Sequence, residues 1–278
     1  MDQTAIKQIQ QSEATAETNA ALRSGLDSDV PLAALHKDFS VANLEPYMPY
    51  RTRFRGKMST AIIDDFVRYV KDSSKGFSGP ACFINPNKMS ATAIFNLGNV
   101  ASPGHADFTA QLSLEMTAEF KALLSANGQK KTQKDLAEWA EDWRQFITFY
   151  DQSSEEIDAR TAIGAIRRLT IESSRKVNHE VGDFNANRSA LESIEAKSDN
   201  ATPPASFTFT CNPYNGLPVH SFSCRISILT SGDTPMLSFR IKQQEYEEEQ
   251  VSLGFLAILQ DRFVETDLEI YRGEFNAL

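Results

Sequence analysis

The order of elements points to an α+β fold: antiparallel β meanders flanking a central helical block, with helices packed on sheet. Three observations predict it. Between turn signals, residues 81–115 alternate apolar and polar side chains. Residues 117–177 carry apolar side chains at helical spacing. Residues 207–241 return to alternation before a last helical stretch. Runs of strands and runs of helices in separate blocks argue against a doubly wound parallel sheet.

The elements follow in order. Residues 1 to about 26 are rich in Gln, Ala, Glu, Thr and Ser, with Ile6 and Ile9 the only large aliphatics before Leu22. That composition suits a polar helix or a loose arm. Pro46 and Pro49 break the next stretch into a loop. Ser59-Thr60 opens a helix whose apolar positions are Ile62, Ile63, Phe66, Val67 and Val70. Ala81–Ile84 reads as a strand, Asn85–Lys88 as a turn, and Ser90–Leu97 as the returning strand. Phe108–Glu115 alternates as a third.

Thr117–Ala126 is the next predicted helix, stopped by Gly128. Thr132 caps another, with Asp135 three positions on. Its apolar stripe is read as Leu136, Trp139, Trp143, Phe146, Ile147 and Tyr150. Ser154, Glu155 and Glu156 start a further helix toward Val177. Ser189–Ala196, Phe207–Cys211, His220–Leu229 and Met236–Ile241 read as strands. Glu245–Phe263 reads as a helix, acidic at its start, where the helix dipole favours negative charge. Ile270–Phe275 suits a short terminal strand. The domain reading is a polar arm over residues 1–37 and one α+β domain over residues 38–278, with room for a sub-division near 185–200.

Composition narrows the function. The 278 residues include 41% hydrophobic and 23% charged side chains, enough for a substantial core. Acidic residues outnumber basic ones 37 to 28, a net charge of -9, which argues against nonspecific duplex-DNA binding. Cys82, Cys211 and Cys224 are widely spaced and form no CxxC pair, so they read as buried free thiols in a reducing compartment. The first residues, Met-Asp-Gln-Thr-Ala, have no basic region followed by an apolar core. No apolar run is long enough to span a membrane. A cytoplasmic location is expected, with no cofactor and no metal.

One segment departs from the acidic background. In Tyr47-Met-Pro-Tyr-Arg-Thr-Arg-Phe-Arg-Gly-Lys57, Arg51, Arg53, Arg55 and Lys57 occupy alternate positions. If the segment is extended, these four cations share one face, and Tyr50 and Phe54 share the other. Such a strip could follow a single-stranded nucleic acid, bind an acidic partner, meet an acidic face of a second copy, or pair with the protein's own carboxylates at a sheet edge. The loop Pro103-Gly-His-Ala-Asp107 sets His105 and Asp107 two residues apart, a candidate acid–base or metal pair without further ligand-like spacing. Glu138, Glu141 and Asp142 flank Trp139 and Trp143 but lack the Glu-x-x-His unit of carboxylate metal bundles. The chain contains no P-loop, GxGxxG or GxSxG signature.

Arg51-Thr-Arg-Phe-Arg-Gly, Phe95-Asn-Leu-Gly98, Pro103-Gly-His-Ala-Asp107 and Glu141-Asp-Trp143 together resemble the YfdQ-like family of phage and prophage proteins. The resemblance runs through most of the chain. It implies a temperate phage or prophage origin and supplies no reaction and no catalytic residues. The leading expectation is therefore a non-enzymatic phage accessory protein that forms homo-oligomers. A single-stranded nucleic-acid binder, an inhibitor of a host defence protein and a metal-dependent hydrolase stay open beside it.

Overall fold

The computed structural model describes residues 3–26, 45, 49–169, 203–229 and 236–276. The chain forms two compact units, Met1–Phe54 and Arg55–Leu278. In the first, α1 (Gln3–Leu26) is a single 24-residue helix. Ala14 and Thr18 are half-buried along it, while Ile6 and Ile9 are exposed.

The second unit holds two sheets. The five-stranded sheet runs β1 (Gly56–Thr60), β4 (Phe108–Ser113), β3 (Ser90–Ile94), β2 (Ala81–Asn85), β11 (Glu269–Arg272). Its centre is the predicted antiparallel meander, with Cys82 opposite Ala93 and Ala93 opposite Ala110. The turn between β2 and β3 is built as its sequence demands. Asn85 accepts the Lys88 N–H at 3.1 Å, and Met89 takes a left-handed conformation. The two edge strands are parallel to their neighbours, β1 to β4 and β11 to β2. Parallel strands need crossover connections, which helices usually supply. Here α2 (Ile63–Ser73) follows β1, and α6 (Gln244–Phe263) precedes β11.

The six-stranded sheet is antiparallel throughout, in the order β5 (Lys131–Thr132), β10 (Met236–Ile241), β9 (His220–Leu229), β8 (Ser206–Cys211), β6 (Ile147–Tyr150), β7 (Glu156–Ile157). Three helices lie between or beside its strands in sequence: α3 (Ala118–Ala126), α4 (Gln133–Asp142) and α5 (Ala159–Arg167). Thr117 and Thr132 cap α3 and α4 by accepting the Phe120 and Asp135 N–H groups. Trp139 of α4 packs against Phe239, Phe209 and Phe207, with ring centroids 5.0, 6.0 and 6.1 Å apart, and stacks on Phe209. Phe120 of α3 stacks on Phe222 at 5.0 Å.

One hydrophobic core runs through the second unit, from Phe66 and Val70 of α2 to Phe255 and Leu259 of α6 and the aromatic face of the six-stranded sheet. Polar side chains tie its parts. The Asn127 amide donates to Gln244 and accepts from the Ile241 N–H, so the end of α3, the end of β10 and the start of α6 are joined by one residue.

The α+β class and most elements match the sequence reading. Three details differ. The stretch before α2 is a strand, β1, because Gly56–Thr60 pairs with β4. The helix capped by Thr132 stops at Asp142. After a short 3₁₀ turn over Arg144–Phe146, Ile147–Tyr150 is a strand rather than the end of the helical stripe. Thr148, Phe149 and Tyr150 are β-branched or aromatic and fit a pleated, half-buried surface. The following helix begins at Ala159, capped by Asp158, and Glu156 lies in β7. The expected strand at 189–196 and the reach of the helix to Val177 lie outside the described residues.

Phe209 is fully buried under Trp139. Phe209→Ala is expected to lower stability by about 3–5 kcal/mol in urea unfolding. Asp158→Ala, which removes a cap accepting the Arg160 and Thr161 N–H groups, should cost only about 1 kcal/mol.

Candidate functional site

The basic segment is not one strand. Thr52 and Arg53 lie in a bend, and Thr52 N–H and Oγ1 both reach Glu45 Oε1, at 3.2 and 3.1 Å. The strand begins only at Gly56, whose positive φ of 145° suits glycine and whose N–H donates to Asp107 O at 2.9 Å. The extended 50–57 strip with four cations on one face is therefore replaced by a bend followed by a strand. Tyr50, Arg51, Arg53 and Phe54 belong to the first unit, Arg55 and Lys57 to the second. Tyr50 is 82% and Phe54 64% exposed, and Arg51 is exposed, while Arg53 and Arg55 are half-buried. Lys57 is exposed on β1, an edge strand, where a lysine discourages pairing with another chain.

The loop between β3 and β4 is organised by Asn96. Its Nδ2 donates to Asp107 Oδ1 at 2.8 Å, and its Oδ1 accepts the Phe108 N–H at 3.0 Å. Its backbone oxygen accepts from Ala106. Gly104 N–H donates to Leu97 O, and a Cβ at Gly104 would come within 1.9 Å of Asn96 O, so the close approach requires glycine. Ala106 has a φ of 52°, which turns the chain between His105 and Asp107. His105 is exposed, whereas Asp107 is half-buried and engaged with Asn96. The two residues singled out as an acid–base pair thus stand in different environments, and the Asp107 carboxylate serves the loop.

Two of the three carboxylates near the tryptophans, Glu138 and Glu141, are paired on the surface. Glu138 lies 3.7 Å from Lys134, and Glu141 lies 2.7 Å from Arg167, joining α4 to α5. Among the described residues no group of three or more His, Cys, Asp or Glu side chains is arranged to hold a metal ion.

Sequence reading missed two features that only folding assembles. His220 Nε2 and Glu247 Oε2 meet at 2.7 Å, half-buried, from residues 27 apart. A cavity of about 600 Å³ lies beside the first turns of α6, with Met89, Met116 and Phe120 on its floor and Glu245, Glu248 and Glu249 at its rim. Tyr214 also lines it, and burial, then the charge of Glu248, pushes its hydroxyl above the usual tyrosine range. An apolar floor under a carboxylate rim suits a cationic group on an apolar stem. The acidic run was legible in the sequence; the floor comes from three other elements and was not.

The sequence matches the model of a family described as an uncharacterized conserved protein, DUF2303, over residues 2–275. The chain belongs to the DUF2303 family. No curated protein and no solved structure matches it. The family spans nearly the whole chain, so the arm, both sheets and the Asn96 loop all fall within the matched residues.

In this DUF2303 member the cysteines are free and buried. Burial pushes the thiols of Cys82, Cys211 and Cys224 up to about 12, with Glu119 adding to the effect at Cys211 and Lys242 opposing it at Cys224. They are therefore poor nucleophiles in the folded protein. No helix among the described residues is long and apolar enough to cross a membrane.

Ellman's reagent at pH 8 should find no reactive thiol in the native protein and three after denaturation. Because the unfolded thiols titrate near 9.0 and the folded ones near 12, the unfolded state binds fewer protons in between. Stability should accordingly fall as pH rises from about 9 toward about 12, read by urea midpoints across that range. Asn96→Ala should cost about 1–3 kcal/mol in the same measurement, since it strips partners from Asp107 and the Phe108 N–H.

Proposed function

We propose that this chain is a non-enzymatic phage accessory protein that acts as a homo-oligomer in the cytoplasm of its bacterial host. The supporting observation is α1. It is polar around its whole circumference, yet Ile6 and Ile9, one turn apart, are 41% and 66% exposed. A helix this polar has no apolar face to bury against its own chain, and most helical stability in proteins comes from such packing. Three of its hydroxyls, on Ser12, Thr15 and Thr18, bond back to carbonyls four residues earlier, which adds no stability. Antiparallel pairing with the same helix of a second copy covers the isoleucines of both. It also brings Lys7 of each copy toward the acidic half carrying Glu13 and Glu17 of the other. Such an isologous contact closes as a dimer. The phage source rests on the resemblance of the four sequence motifs, and the engagement of Asp107 with Asn96 supports a non-catalytic role.

Size-exclusion chromatography with light scattering at micromolar concentration should give a dimer or larger. Ile6→Glu with Ile9→Glu should shift it to the monomer mass without changing the thermal midpoint of the second unit. A wild-type chain that stays monomeric at every concentration would sink the proposal.

A further inference from the structure

The six-stranded sheet has two unlike faces. Phe207, Phe209, Phe222 and Phe239 are buried on one. Alternate residues project to the other, which is polar. Strand register places Tyr150, Ser206, Arg225 and Arg240 in one row across β6, β8, β9 and β10. Thr208 and Ser223 form the next row, and Lys242 follows beside it, its N–H donating to Ser223 O at 2.8 Å.

Arg225 and Arg240 are directly opposite each other and both exposed. Directly opposed residues on antiparallel strands have Cα atoms about 4.5–5.5 Å apart. Like charges in that position destabilise a sheet. Among the described residues neither arginine has a carboxylate within ion-pair distance. The carboxylate in the same row is Glu156, opposite Tyr150 on β7. It is three strand spacings from Arg225, about 14 Å, which exceeds the screening length of about 8 Å at physiological salt. In a chain with nine more acidic than basic side chains, this is a local concentration of positive charge that no carboxylate among the described residues pairs with.

The geometry points to a binding face for single-stranded nucleic acid on the polar side of the six-stranded sheet. The two guanidinium forks and Lys242 take phosphate oxygens, with the hydroxyls of Ser206 and Ser223 as further donors. Tyr150, half-buried at the other end of the row, offers its ring to a base. A broad pleated surface admits an extended strand, and a backbone of repeating phosphates matches neighbouring cations better than a single small anion does. The proposal draws on residues of the second unit alone and does not rest on the self-association proposed above.

The test uses the full chain and a labelled oligo(dT) of about 20 nucleotides, followed by fluorescence anisotropy from about 50 to about 200 mM salt. Wild-type protein should bind, with affinity falling as salt rises. Arg225→Gln with Arg240→Gln should weaken binding by about tenfold or more and reduce the slope of log affinity against log salt by roughly 1.4, for two phosphate contacts on a single strand. Its thermal midpoint should hold or rise, because a like-charge pair is removed. Absence of wild-type binding, equal binding by the double variant, or a lowered midpoint that accounts for the loss would each overturn the assignment. So would loss on Arg51→Ala with the sheet variant unaffected. Arginine-dependent binding of polyglutamate without binding of the oligonucleotide would assign the face to an acidic protein instead and likewise overturn it.

Discussion

Trp139 against Phe207, Phe209 and Phe239 is the contact on which the second unit depends. It sets α4 on the six-stranded sheet, and it does so with rings drawn from β8 and β10, which do not adjoin each other in the sheet. Aromatic rings bury large areas and hold defined relative geometries, so a single tryptophan fixes which face of the sheet is inside. Once that face is inward, alternation dictates the other. Ser206, Thr208, Ser223, Arg225 and Arg240 must point away from the core. The polar character of that face is thus a consequence of where Trp139 packs.

The same constraint explains how α3 and α6 are placed. Phe120 stacks on Phe222, which orients α3 on the inner face. Asn127 then joins the end of α3 to the end of β10 and to α6. Phe263 at the end of α6 meets Phe66 of α2 edge to face at 6.2 Å, which carries the core to the five-stranded sheet. The acidic start of α6 is left on the surface beside the apolar floor supplied by Met89 and Met116, and the cavity results.

Legibility in the sequence followed the range of the interactions. The cap at Thr132, the helix ending at Ala126, the Asn85 turn and the strands from Ala81, Phe207, His220 and Met236 all depend on neighbours within a few residues or on strict alternation, and these were read correctly. Ile147–Tyr150 was read into a helix because Trp139, Trp143, Phe146 and Tyr150 also satisfy helical spacing. Pairing with Phe209 and Phe207 decided it as a strand. Ser59-Thr60, the end of β1, were read as the start of a helix because the strand's partner, β4, lies some fifty residues on in the chain. In the candidate regions the residue types were visible, but their geometry was not. His105 and Asp107 are near in sequence, yet Ala106 turns between them and Asn96 engages the carboxylate. Arg225 and Arg240 were passed over because no short motif links them.

The sequence by itself determined the α+β class, the acidic balance, the buried free thiols and the local signals that start and stop most elements, since composition, periodicity and capping act over short distances. Tertiary structure decided the rest. It put a bend at Thr52-Arg53, where the sequence left open whether residues 50–57 are extended, because Glu45 draws Thr52 aside. It also brought two arginines face to face across β9 and β10. Register between strands is set by long-range packing, and only register can tell which charges share a face.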